Sequence, residues 1–280
     1  MRIGYIHAMK GSLIAVLVFT GAAMLNPGAG DSPHIELLLT VSTFLFAILA
    51  GFYLSRINQR YDLVRGLLAE EDADWLTFYE SSNFFEPKLR EEVRELLDEY
   101  YIRTMDTDTM DYYKRTRVIF KKVHGALHRA KPVDFPVITY MVELLANIEK
   151  TRNQISVIAA EKLRKGQWLT LIILSLIILF CLFYLQKPFI YSHVITILLS
   201  TVLVMVLLVM RDLANFRLGG ELVAIESGQE MFELINKNRY YHEKLLKDGS
   251  VSIPKHIKKY RVGTHTPGAK ELVIRFVDVE

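Results

Sequence analysis

Four blocks of apolar residues constrain this chain more than any other feature. They cover residues 9–25, 35–54, 168–185 and 189–210. A bilayer core is about 30 Å thick, and a helix needs roughly 20 mainly apolar residues to cross it. The last two blocks are the strongest, and only Gln186, Lys187 and Pro188 separate them, which forces a tight helical hairpin. The block 35–54 carries one charge, Glu36, at its end. The chain has 280 residues, 51% hydrophobic yet 23% charged, so apolar and charged residues are segregated along it. With 15 Gly, 8 Pro and abundant large apolar residues it is neither collagen-like nor disordered. The single cysteine, Cys181, excludes an intrachain disulfide and any cysteine-rich metal site. A net charge of +3 is too small to argue for nucleic acid.

The first block is the shortest and holds Lys10 near its start. A cleaved signal peptide is the alternative reading, with Arg2 and Lys10 before an apolar core. The second apolar block follows after a short turn, which favours a retained hairpin. Lys and Arg near span ends set orientation. Arg2 and Lys10 precede the first span, and Arg56, Arg60 and Arg65 follow the second. Arg164 and Lys165 precede the third, and Arg211 and Arg217 follow the fourth. The two short turns hold only Lys187. Both termini and the long middle segment are therefore expected in the cytoplasm.

The fold class expected is an all-α polytopic membrane protein: four transmembrane helices in two hairpins, with long cytoplasmic helical extensions. The organisation reads as a first hairpin (1–54), a helical region (55–166), a second hairpin (167–210), a helix (211–248) and a tail (249–280). The second span should run on unbroken, because Ile57, Tyr61, Val64, Leu68, Trp75 and Phe78 recur at helical spacing. Pro87 suits a helix start, with Leu89, Val93, Leu96, Leu97 and Tyr100 on one face. Asp106-Thr107-Asp108 punctuates the next helix, over about 110–130. Asp134 is a plausible cap for a helix feeding straight into the third span. A helix is expected over about 221–247, ended by Asp248-Gly249. Residues 256–262 and 271–279 are strand-like, with Pro267-Gly268 between them. Two strands alone are marginal, so this hairpin needs a neighbour, conceivably from another subunit.

No nucleotide-binding glycine loop is present, and the sequence implies no cofactor. His124 and His128 share a helix face but lack the Glu of a zincin, and a basic surface is the better reading. Glu70, Glu71, Asp72 and Asp74 point in different directions on a helix and make a poor cation cage. No metal site is therefore assigned. The basic run 114–131 could rest on anionic headgroups or serve as an ordinary amphipathic helix. Away from their ends the spans hold no Asp, Glu, Lys or Arg, which argues against ion-coupled transport. Ser175, Ser200 and Cys181 have no obvious base, so no enzyme is expected.

The second span is the most informative. Phe44, Ile48 and Phe52 are spaced i, i+4, i+8 and stack along one face at about 6 Å per step. Ala47 and Gly51 form a small-xxx-small pair where another helix can approach closely. Thr40 and Thr43 add hydroxyls one turn outward. The bulky stripe has two readings: it faces lipid, or several copies ring an axis and make a narrow apolar neck that gates by dewetting.

Residues 44–53, FLFAILAGFY, followed by an Arg-rich polar helix, resemble the second membrane helix of bestrophins. In that family a Gly-Phe-Tyr ends the pore constriction, matched by Gly51-Phe52-Tyr53, and Ile48 and Phe44 match the bulky residues one and two turns earlier. Two hairpins around a helical segment, the Trp168 entry to the third span and the RDLANFRLGGE exit from the fourth extend the likeness over most of residues 1–247. The resemblance implies a pentameric channel for chloride or other small anions, with Phe44, Ile48 and Phe52 as its neck and Thr40 and Thr43 as its outer approach. Arg56 and Arg60 would supply positive potential at the inner mouth. Two departures stand out: Arg211-Asp212-Leu213-Ala214-Asn215 replaces the acidic calcium clasp, and Ile48 stands where an aromatic is common. The partners implied are the lipid bilayer, small anions and further copies of the chain, in the plasma (bacterial inner) membrane. The rival reading is a membrane-anchored scaffold whose cytoplasmic helices bind a partner.

Overall fold

A computed structural model describes residues 6–106, 112–130, 135–161, 163–218, 221–247, 251–266, 269 and 271–278. The expected features at Thr107, Asp108, Asp134, Asp248, Gly249, Pro267 and Gly268 lie outside them. The helices are α1 (Ala8–Leu25), α2 (Pro33–Ser81), α3 (Pro87–Met105), α4 (Tyr112–Arg129), α5 (Phe135–Ala160), α6 (Lys165–Tyr184), α7 (Ile190–Ala214), α8 (Val223–Leu234) and α9 (Glu243–Lys247). The strands are β1 (Arg217–Leu218), β2 (Glu221–Leu222), β3 (Tyr240–His242), β4 (Lys259–Gly263) and β5 (Ile274–Asp278). The chain divides into two units: Met1–Tyr61 with Lys162–Gly220, and Asp62–Glu161 with Glu221–Glu280.

In the first unit, α1, the apolar part of α2, α6 and α7 are each long and apolar enough to span a membrane. α1 packs along α7, and Gly11 permits the approach: a Cβ there would lie 2.6 Å from Leu208 Cδ1. The first turn of α1 is fastened at the end of α7. Ala8 N–H donates to Asp212 Oδ2 at 2.7 Å, where the carboxylate also meets the positive end of the helix. Arg211 donates to Asp212 Oδ1 at 2.7 Å and to the Ile6 carbonyl. At the other end of α1, Gln186 is buried and donates to the Ala23 and Asn26 carbonyls at 2.7 and 2.8 Å. Asn26 returns a bond to the Phe183 carbonyl at 3.1 Å, and Ala29 N–H donates to the Tyr184 carbonyl at 2.9 Å. Gly28 adopts a left-handed φ of 74°, and a Cβ there would sit 1.9 Å from the Gln186 carbonyl oxygen. Only glycine fits that position.

α2 is one unbroken helix from Pro33 to Ser81, as its spacing predicts. α5 does not feed directly into α6. It ends at Ala160; Leu163 is not helical and Arg164 is extended before α6 begins. Gln167 Oε1 accepts the Arg164 N–H at 2.8 Å, so a side-chain cap gives the third span its own start.

The second unit is a helical cluster with a small sheet. Pro87 opens α3, and Leu89, Val93, Leu97 and Tyr100 are buried along it. Trp75 is enclosed, with ring centroids of Tyr100 and Phe120 at 5.0 and 5.8 Å. Arg152 is buried too: its guanidinium lies 4.6 Å from the Phe120 ring centroid and donates to Thr116 Oγ1 at 2.5 Å. Tyr100 and Tyr101 donate to Glu71 and Asp72, the latter at 2.6 Å.

The helix expected over 221–247 is interrupted. α8 stops where Asn236 turns left-handed, at φ 57°, and Lys237 N–H closes back on the Phe232 carbonyl at 2.7 Å. The freed chain forms β3. The tail strands pair antiparallel as expected, with Arg261 opposite Phe276. Their neighbour comes from the same chain: β3 pairs parallel with β4, Tyr241 opposite Val262.

Candidate functional site

The exposed face of α2 is built by helical geometry. Each residue advances about 100° around the axis. Ser42, Phe46, Ala50 and Ile57 are buried and mark the packing arc. Thr40, Thr43, Phe44, Ala47, Ile48, Gly51 and Phe52 fall on the other side, and all are exposed. Phe44, Ile48 and Phe52 are 64%, 41% and 71% exposed, the pattern of a face left for lipid or another copy.

That arc differs in chemistry from the exposed face of α7. α6 presents Leu169, Ile172 and Leu176, and α7 presents Ile195, Leu198 and Val202. Over 194–205 every exposed residue of α7 is large and apolar, as acyl chains favour, whereas α6 also exposes Gly166, Thr170 and Phe180. The α2 arc interleaves hydroxyls and small residues with its bulky ones. Thr40 satisfies its hydroxyl on the Glu36 carbonyl at 2.9 Å, so it is tolerated in the span. Around Gly51 a Cβ would meet nothing within 4 Å, so within one chain its smallness has no packing purpose.

Arg56 is exposed, one turn beyond Phe52. Arg60, expected with Arg56 at the inner mouth, is placed otherwise. It is buried, donates to the Ala214 carbonyl at 3.1 Å, and lies 4.2 Å above the Phe216 ring. The reason is drift: each i, i+4 step overshoots a full turn by about 40°, so four steps from Phe44 to Arg60 carry about 160°. The series therefore ends on the packing arc. Asp212, beyond the fourth span, is buried and engaged by Ala8 and Arg211, so it offers no open carboxylate for a cation.

A second cluster, in the other unit, is invisible to sequence spacing. Asp106, His242 and His265 converge, with one ligand atom from each lying within 4.8 Å of the others. They come from the end of α3, the end of β3 and the segment after β4. Asp106 and His265 are 159 residues apart, so no local motif could have signalled them.

Four apolar spans with a helical second unit define an integral membrane protein. A family model for the bestrophin-like domain matches residues 12–215, and the chain belongs to that family. It is also similar to a crystal structure of a membrane protein carrying a glycine-to-alanine change, at 13% identity and a TM-score of 0.55. That likeness covers 81% of this chain and 95% of the other, and supports the fold. A comparison with curated proteins found no match.

Proposed function

We propose that this chain assembles as a homo-oligomeric channel, a pentamer by family resemblance, passing chloride or other small anions passively through a central pore. The reading is one of conduction, not enzymatic turnover. The exposed arc of α2 lines the pore. Phe44, Ile48 and Phe52 form an apolar neck, which resists wetting and so limits flux. Thr40 and Thr43 line the outer approach, and Arg56 raises positive potential at the inner mouth. Ala47 and Gly51 let neighbouring copies of α2 come close. Arg60 acts behind this surface, holding α2 to the end of α7. Both termini face the cytoplasm, as the Lys and Arg distribution requires of a plasma-membrane protein.

The observation that carries this reading is the composition of the α2 arc. It is exposed in the protomer, lies across the helix from the packing residues, and mixes threonine, alanine and glycine with a bulky ridge. The exposed face of α7 over 194–205 suits acyl chains and holds no such mixture.

Anion flux into liposomes tests it. With the purified full chain reconstituted, the triple variant Phe44→Ala, Ile48→Ala, Phe52→Ala is expected to conduct faster than the parent. Unchanged flux through a parent that does conduct would return the ridge to lipid. A chain with no conductance that instead retains a cytoplasmic partner in a pulldown would establish the scaffold reading.

A further inference from the structure

We propose that Asp106, His242 and His265 form a binding site for a divalent transition-metal cation of the zinc class, pinning the C-terminal sheet to the end of α3. All three are buried, at 8%, 5% and 7% exposure. Two imidazoles and one carboxylate are a donor set for zinc-like ions; calcium and magnesium prefer oxygen alone.

Charge gives the first argument. Among the described residues, Asp106 has no Lys or Arg ion-pair partner; its carboxylate meets the Tyr240 hydroxyl at 2.7 Å and His265 Nε2 at 2.5 Å. A buried carboxylate needs a compensating cation. A divalent cation held between Asp106 Oδ2 and the two imidazoles would supply it.

The surroundings give the second. Tyr240 holds Asp106 Oδ1, which leaves Oδ2 to ligate. His265 Nδ1 lies 3.2 Å from the Val273 N–H and 3.3 Å from the Val273 carbonyl. The ring therefore keeps a backbone partner in either tautomer, including the one that frees Nε2 for a metal. His242 touches the His265 carbonyl through Nε2 at 2.7 Å and accepts the Lys244 N–H on Nδ1 at 3.2 Å. Ligation costs it one of those two bonds. Donors on a tetrahedral zinc stand roughly 3.4 Å apart, so the Asp106–His265 contact opens and any wider separations close. Three protein ligands leave a fourth position for water.

The test uses the full chain, purified in detergent and stripped with a chelator. Titration with cobalt(II) is expected to saturate at one ion per chain with a visible ligand-field band, and zinc(II) should displace it. Zinc should also raise the thermal midpoint of the parent. His242→Ala and His265→Ala should lose both responses, and Tyr240→Phe, which keeps every ligand, should weaken binding by about 10–100-fold. A His124→Ala, His128→Ala variant should match the parent. A parent chain that binds neither ion at micromolar concentration overturns the proposal, whatever the variants do. So does binding that survives loss of both His242 and His265; cluster residues would then act as a hydrogen-bonded ion pair alone.

Discussion

Arg261 and Asp98 meet as a two-pronged ion pair, Nη1 to Oδ2 at 2.7 Å and Nη2 to Oδ1 at 2.6 Å, joining β4 to α3. Both are buried, and the Arg261 guanidinium also lies 4.8 Å from the Phe232 ring centroid. Removing one member of such a pair strands the other charge, which costs about 3–5 kcal/mol. Arg261→Ala is therefore expected to lower the thermal midpoint and to speed amide exchange across β4 and β5. Arg261→Lys should lose part of the same stability, because a single ammonium cannot form the fork. Hydrogen-exchange mass spectrometry reads both.

Gly51 separates the fold of the protomer from its assembly. With open space around it in one chain, Gly51→Leu meets no obstacle there, and helix propensity favours it by about 0.5–1 kcal/mol. Where copies of α2 approach one another, the added side chain obstructs. The variant is expected to express with full helicity yet give fewer oligomers by light scattering and reduced anion flux.

Asp72 lies beyond the apolar part of α2, half-buried under Tyr101. Burial pushes its pKa up to about 7, with Glu71 and Glu230 adding repulsion, against the Tyr101 hydrogen bond. A carboxyl whose pKa is higher folded than unfolded holds its proton more tightly in the folded state. Its stabilisation is full below about pH 4 and is lost as pH rises to about 7. Asp72→Asn should flatten the fall of the thermal midpoint across that window and leave the variant the more stable at pH 8.

Just after the C-terminal end of α1, Gly28→Ala should be severely destabilising, since its Cβ would collide with the Gln186 carbonyl. Gln186→Leu should be milder, about 1–3 kcal/mol, by leaving the Ala23 and Asn26 carbonyls without their donor. Thermal aggregation of the detergent-solubilised variants would rank them.

The spans were legible because hydropathy over some twenty residues is a local signal, and Pro87 announced α3 as plainly. The interruption at Asn236 was harder to see. Glu243–Lys247 is helical and so is α8, and only the Asn-Lys-Asn between them marks the break. The intrachain neighbour for the tail hairpin was hidden for the same reason, because β3 sits inside the segment read as helix. On the α2 face, spacing put Phe44, Ile48 and Phe52 together; Arg60, expected with Arg56 at the inner mouth, lies where helical drift has turned onto the packing arc. Asp106, His242 and His265 carried no signal, since only tertiary folding brings them within reach.

The bonds of Gln186 also bear on how the protein is made. Its amide serves the Asn26 carbonyl across 160 residues of chain. The first helix therefore enters the bilayer before the group that ties down its far end has been translated. The Gln186 bonds at its C-terminal end form only after the ribosome has delivered the third apolar helix. Arrest peptides placed on either side of residue 186 should report that late closure as a step in pulling force.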